Sequence, residues 1–342
     1  MQYRKPALSL DDQLDQLVRR GLVVADRERA LRYLARIGYY RLSPYMIPFQ
    51  IQGGDHRFKP GTAFDSVLRH YVFDRQLRLL VTDALERFEV ALRATLSNRM
   101  ALSRSDPFWY LNRTAFNEQY DYARLIDETT SKMSDDRRRL LADLQRLGRE
   151  IRDPVRNAAA AAAATKQSFL RHYLYKYSDP KLPPSWMMIE MLTFGDLMHM
   201  YRGLSDRRDK KAIAAELGIT DQLLNSWLGT FQYARNVCAH HGRLWNREFG
   251  VSIMVPRSNS VAWLSDRAVF TEAGSYRQGR VYPLIVALQV VLKEISPGST
   301  WGQRLFDLLE DFGDVPLNPM GFPLGWHLDP FWEPHIDPAR NS

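Results

Sequence analysis

The 342-residue chain reads as an all-α protein. Three observations predict this. Apolar residues recur at helical spacing along most of the chain, residues suited to helix caps precede those stretches, and period-2 alternation is scarce. Hydrophobic residues make up 45% and charged residues 25%, enough to fill a sizeable core and to exclude a mainly disordered chain.

Ser9, with Asp12 three residues on, resembles a capping box for a first helix carrying Leu10, Leu14, Leu17 and Val18, which Gly21 ends. Asp26 is the expected N-cap of a second, with Ala30, Leu31, Leu34 and Ile37 as its stripe and Gly38 as its stop. The aromatic run Tyr39–Tyr45 packs these helices together, and Gln52–Asp55 makes a turn between short extended pieces. Thr62 opens a long helical region through Phe64, Val67, Leu68, Tyr71, Leu79 and Leu80. That helix, or a second one, continues over Leu85, Phe88, Leu92 and Leu96 until Asp106-Pro107 breaks it. Residues 131–153 predict an exposed amphipathic helix. Ala158–Ala164, seven alanines in a row, favours helix and supports no functional claim. Further helices are expected over Lys166–Tyr177, Trp186–Leu192 with Ser185 as cap, Asp196–Tyr201, Asp209–Leu217, Asp221–Cys238, Leu284–Ile295 and Trp301–Leu309. The chain divides into an N-terminal helical segment (1–60), a helical core (61–255) with a variable insertion near 130–165, and a C-terminal helical segment ending in a Pro/Trp-rich tail (256–342).

Several function classes are excluded early. The longest apolar run, around Val281–Leu292, is broken by Gln289 and falls short of the roughly 18–20 residues that a membrane-spanning helix needs. The N-terminus lacks the apolar centre of a signal peptide, so a cytoplasmic protein is expected. Cys238 is the single cysteine, which excludes an internal disulfide and a cysteine-rich zinc cage. His56, His70, His199, His327 and His335 lack ligand spacing, and no phosphate-cradling or dinucleotide glycine pattern occurs, so neither a metal nor a cofactor is expected. The 47 Lys and Arg against 39 Asp and Glu give a net charge of +8, which favours a polyanionic partner such as nucleic acid.

The chemistry concentrates in Tyr233–Arg247, where Arg235, Asn236, His240 and His241 lie within seven residues. Asn236 and His240 are four apart and share a helix face; Arg235 lies about 140° round from His240, within reach of the same site near a helix end. The set suits cleavage of an RNA phosphodiester. An imidazole with a pKa near ~6.5 takes the 2′-hydroxyl proton or protonates the leaving 5′-oxygen. A permanently charged guanidinium holds the phosphate oxygens, and Asn236 orients the histidine or bonds the phosphate. No metal is required, and DNA, lacking the 2′-hydroxyl, would resist.

The string Arg235-Asn-Val-Cys-Ala-His-His-Gly-Arg-Leu-Trp-Asn-Arg247 resembles the signature of the bacterial abortive-infection Abi family, AbiD/AbiF-like, within the HEPN superfamily of helical ribonucleases defined by Arg-x4–6-His. Lys5-Pro6-Ala7 with Leu14–Leu22, Ile37–Leu42, Tyr71–Arg78, Tyr177–Pro180, Leu182–Met187 and Gly321–Trp326 fit the same pattern, so the resemblance spans nearly the whole chain; about 130–165 fits least. It implies a HEPN-type helical bundle with additional N- and C-terminal segments, and a metal-independent endoribonuclease of phage defence or a toxin–antitoxin system. It assigns Arg235 and His240 as the motif pair and Asn236 as the polar residue beside the arginine. The single motif copy implies a homodimer that joins two motifs in one site. An accessory acidic residue from a neighbouring helix is implied too, with Glu190 as candidate, and so is a cognate structured non-coding RNA.

His241 serves either as a second base or as a flanking residue, and Arg243 and Arg247 either bind RNA phosphates or form a salt-bridged helix end. Glu86, Glu89 and Arg93 are spaced for an ion pair on one helix face. Arg171–Tyr177 either stacks on unpaired bases or packs its tyrosines inward. The basic stretch from Arg137 to Arg152 either touches RNA or, mixed with acidic residues, forms a solvated helix face, the favoured reading. The alternative to an enzyme is a non-catalytic RNA-binding protein that holds a structured RNA.

Overall fold

A 41-residue helix organises the molecule. In the computed structural model, which describes residues 2, 6–53, 55–259, 261–271 and 276–333, it runs without a break from Phe64 to Arg104, a length of about 60 Å. Before it come α1 (Leu10–Arg19), α2 (Arg27–Ile37) and α3 (Tyr39–Met46), which makes the long helix α4. Then follow α5 (Tyr122–Glu150), α6 (Pro154–Thr165), α7 (Phe169–Lys176), α8 (Ser185–Met188), α9 (Phe194–Gly203), α10 (Arg207–Glu216), α11 (Asp221–Ala239), α12 (Ala268–Thr271), α13 (Val281–Ile295) and α14 (Trp301–Asp311). Among the described residues there is no strand, only isolated bridges such as that between Gln50 and Phe58, so the protein is all-α. Lys5 and His335 lie outside the described residues.

Local chemistry explains most boundaries. Ser9 and Asp26 cap α1 and α2 as their side chains predict, accepting from the backbone N–H of Asp12 and Arg29. Gly38 takes φ +88° and stops α2. Two expected caps are corrected. The Thr62 hydroxyl donates to the Lys59 carbonyl, and α4 starts two residues later behind Ala63 without a side-chain cap. Ser185 is the first residue of α8, not its cap; Pro184 takes the cap position, and the Ser185 N–H is already held by the Pro107 carbonyl. The helix there is one turn followed by a 3-10 turn over Ile189–Met191.

One continuous core runs from Leu14 to Trp332. α4 lies against α3, α9, α10, α11, α13 and α14. The apolar run Val281–Leu292 makes up most of α13 and is buried at every position, as a helical stretch apolar all round is when it lies in a core. Phe88 of α4 meets Phe231 of α11 edge to face at 4.9 Å, and Phe194 of α9 at 6.2 Å. These rings fix the register of α4 against α11, which decides what the residues beside them can touch. α5, α6 and α7 form an arm with its own small apolar cluster of Met133, Leu170 and Tyr173.

Candidate active site at the end of α11

α11 buries Leu224, Trp227, Leu228, Phe231, Ala234 and Val237 as one stripe and turns Arg235 outward. Its last turn closes in a Schellman motif. The His241 N–H bonds the Cys238 carbonyl at 3.0 Å, and the Gly242 N–H reaches back to the Val237 carbonyl at 2.8 Å. His240 is the cap residue, and His241 occupies the left-handed position at φ +55°, where glycine is the usual choice. A histidine there costs roughly 1 kcal/mol of backbone strain.

Contacts from distant parts of the chain hold this turn. Arg41 of α3 donates to the His241 carbonyl at 2.6 Å. Arg243 donates in the opposite sense, to the Pro44 carbonyl of α3 at 2.9 Å. Beneath them Asp74 of α4 is fully buried and accepts four donors: the Leu244 N–H (2.9 Å), the Trp245 N–H (2.5 Å), the Tyr45 hydroxyl (2.5 Å) and, as an ion pair, the Arg78 guanidinium (3.3 Å). Burial pushes the Asp74 carboxyl up, against the pull of these donors. Burial and the neighbouring Asp74 raise the Tyr45 hydroxyl, keeping it a donor. Trp245 is fully buried, parallel to Tyr45 and edge-on to His70. The backbone after the motif is therefore anchored to α4 over several residues.

The motif side chains themselves face outward. Arg235, His240 and His241 are exposed, and Asn236 is half-buried. The Arg235 Nε lies 3.8 Å from the Glu89 carboxylate of α4, whose other oxygen pairs with Arg93 at 2.7 Å. Arg93 in turn donates to the Leu192 carbonyl at 2.8 Å. The Phe88–Phe231 contact places these groups, since Glu89 follows Phe88 and Arg235 stands one turn beyond Phe231.

The Glu89–Arg93 pair is thus the ion pair its spacing predicts, and its reach across to Arg235 is what the sequence did not show. The carboxylate paired with Arg235 is Glu89 rather than Glu190, which is exposed on the 3-10 turn after α8 and makes no ion pair among the described residues. Arg243 and Arg247 face inward rather than outward. Burial pulls the Arg243 guanidinium down, and Arg247 donates to the Arg243 carbonyl (2.6 Å) and the Tyr233 hydroxyl (2.9 Å). Cys238 is buried, and burial pushes its thiol up to about 11, so it is an inert packing residue.

Among the described residues, no group of three or more His, Cys, Asp or Glu side chains is placed to hold a metal, and no helix is long and apolar enough to cross a membrane. A cleft of about 390 Å³, lined in part by Tyr120, Arg124, Glu128, Asp196 and His199, does not include Arg235 or His240. The side chains of Arg235 and His240 lie on the surface.

The family model described as Abi-like protein matches residues 32–246, from within α2 to the turn after the motif, and the chain belongs to that family. The match begins just before the Arg41 side of the paired contacts described above and ends just after the Arg243 side. Lys5–Leu22 and Gly321–Trp326, which resemble the family pattern by sequence, lie outside it. No curated protein and no solved structure matches the chain. Membership in an abortive-infection-like family points to defence against phage.

Proposed function

We propose that the protein is a metal-independent endoribonuclease of the HEPN type, acting in the cytoplasm in an abortive-infection or toxin–antitoxin system. The observation that supports this best is the exposure of both motif side chains, Arg235 and His240, on a turn whose backbone is held by Asp74 and Arg41, which take no part in the chemistry. His240 accepts the proton of the ribose 2′-hydroxyl as that oxygen attacks phosphorus. The bond from phosphorus to the 5′-oxygen breaks, and a protonated imidazole, supplied by the motif of a second copy of the chain, protonates the leaving oxygen. A 2′,3′-cyclic phosphate and a 5′-hydroxyl result. Arg235, oriented by Glu89, neutralises the charge that develops on the phosphoryl oxygens.

Arg235→Ala and His240→Ala test the proposal. Each should lower the cleavage of single-stranded RNA by about 10²–10⁴-fold, relieve toxicity, and leave the melting temperature unchanged within error. DNA of the same sequence should stay intact. If both variants cut RNA as the parent does, the catalytic assignment fails. If the parent retains RNA without ever cutting it, the chain is a non-catalytic RNA-binding protein.

A further inference from the structure

α3 carries three tyrosines, and two of them have structural partners. Tyr45 is buried and donates to Asp74, and the Tyr39 hydroxyl accepts from Arg20 at 3.0 Å. The third, Tyr40, is 91% exposed, and among the described residues its ring meets no other ring and its hydroxyl makes no hydrogen bond. An aromatic ring this bare is uncommon on a soluble surface unless it has a partner to meet.

Its position suggests that partner. Arg41, the next residue, holds the His241 carbonyl at 2.6 Å. With neighbouring Cα atoms about 3.8 Å apart and an arginine side chain spanning about 7 Å, the Tyr40 ring lies within roughly 20 Å of the motif turn. That is a span of a few nucleotides. The two stretches that meet here are also free of carboxylates. Between Glu28 and Asp55 there is no Asp or Glu, but Arg29, Arg32, Arg36 and Arg41; between Asp221 and Glu248 there is none either, but Arg235, Arg243 and Arg247. Arg29 and Arg32 are paired with Asp65 and Glu28, whereas Arg36 and Arg41 are exposed and, among the described residues, meet no carboxylate. A bare aromatic face beside exposed positive charge that no carboxylate offsets, as at Arg36 and Arg41, is the arrangement that tracks single-stranded nucleic acid, the charge holding the backbone and the ring stacking on a base. A protein partner would be met by the same ring together with Ile47, two turns further on and 60% exposed, but the one-signed charge between them favours a polyanion.

We propose that Tyr40 is a base-stacking residue of the RNA site, presenting an unpaired nucleotide beside the one whose phosphate reaches Arg235 and His240. The inference rests on the RNA-cleaving reading of the motif, and it concerns binding, so the two fail separately. The experiment uses the full chain carrying His240→Ala, which blocks turnover, and follows the anisotropy of a short fluorescein-labelled single-stranded RNA containing all four bases. Adding Tyr40→Ala should weaken binding about tenfold, the worth of one aromatic–base stack. Tyr40→Phe and Tyr40→Trp should bind as well as Tyr40 does. A blunt RNA duplex, whose bases are already stacked, should show no difference between Tyr40 and Ala. At 91% exposure the substitution leaves the fold intact, which the melting temperature checks.

Equal binding by the Ala variant, or no binding of RNA by any variant, overturns the proposal. So does a loss with Phe as large as with Ala, which would make the hydroxyl the contact. A change in molar mass by light scattering, with RNA affinity unaltered, would assign Tyr40 to a protein interface instead. Undiminished cleavage by His240→Ala alone would overturn the nuclease reading and leave the stacking measurement standing.

Discussion

The end of α11 and the arm built from α5 to α7 are both rich in arginine, and they use it in opposite ways. Along the arm several guanidiniums find a carboxylate close by: Arg138 with Asp135 at 2.5 Å, Arg146 with Asp143 at 3.3 Å, and Arg171 with Asp143 at 2.8 Å. Those charges are neutralised where they arise, on a largely solvated face, and such pairs contribute little to stability. At the end of α11 no carboxylate lies in the same stretch of chain, and Arg235 is met only at 3.8 Å, by Glu89 of another helix. The backbones differ as well. α5 is an ordinary helix with a local cap at Asp121, whereas the motif turn includes a left-handed histidine and is held by Arg41, Asp74 and Tyr45 from other parts of the chain. A net charge of +8 therefore says little until one knows which cations are already paired. The informative ones are those that the fold keeps exposed and only loosely met.

If the motif turn depends on its distant anchors, removing the central one should have the largest effect of any single change. Asp74→Ala removes the carboxylate shared by two buried N–H groups, the Tyr45 hydroxyl and the Arg78 guanidinium. The expected loss is about 3–5 kcal/mol, read from the urea midpoint at unchanged slope. Asp74→Asn, which keeps one acceptor oxygen, should recover part of it. A carboxylate removed from the arm, Asp135→Ala, should cost about 0.5 kcal/mol or less. Equal losses at the two positions would erase the contrast between the regions.

The next effect is on activity. Glu89 is a positioning residue that divides its two oxygens between Arg93 and Arg235. Glu89→Gln keeps its shape and removes the charge, so Arg235 should lose its orientation while keeping its own charge. The expected outcome is a fall in kcat of about tenfold with KM little changed, because the interaction at stake is made in the transition state. A rise in KM with kcat intact would instead mean that Glu89 serves ground-state binding.

These two residues also mark how far the sequence could be read. The helical class, the caps at Ser9 and Asp26, the Glu89–Arg93 pair and the motif residues depend on neighbours within a turn of helix, and such local patterns survive in one dimension. Asp74 looks in sequence like one more charged residue of an amphipathic helix, set among Arg75 and Arg78. Its burial follows from the docking of a loop 170 residues away. The meeting of Glu89 with Arg235 likewise depends on two phenylalanine rings interlocking between helices far apart in the chain. Thr62 and Ser185 look like caps, yet at both sites neighbouring backbone groups take the hydrogen bonds that a cap would make. Arg243 and Arg247 look like phosphate ligands by composition, whereas their guanidiniums close onto carbonyls and a phenol within the protein.

The smallest expected effect falls on the arm, and it tests the comparison from the other side. Arg137, Arg138 and Arg139 form the densest run of positive charge in the sequence, and by charge alone they would be the first place to look for RNA. In the fold they sit on α5 close in sequence to Asp135, Asp136 and Asp143, and Arg138 is paired with Asp135. Replacing all three with alanine should change RNA affinity by less than about twofold and stability by about 0.5 kcal/mol or less. The salt dependence is the sharper measure, because each phosphate contact to a single strand contributes about −0.7 to the slope of log K against log salt. Arg235→Ala should make that slope shallower by about this amount, and the triple substitution should leave it unaltered. A slope reduced by about 2 in the triple variant would mean that these three arginines release counterions on binding. The arm would then belong to the RNA surface, and pairing in the free protein would no longer separate idle cations from working ones.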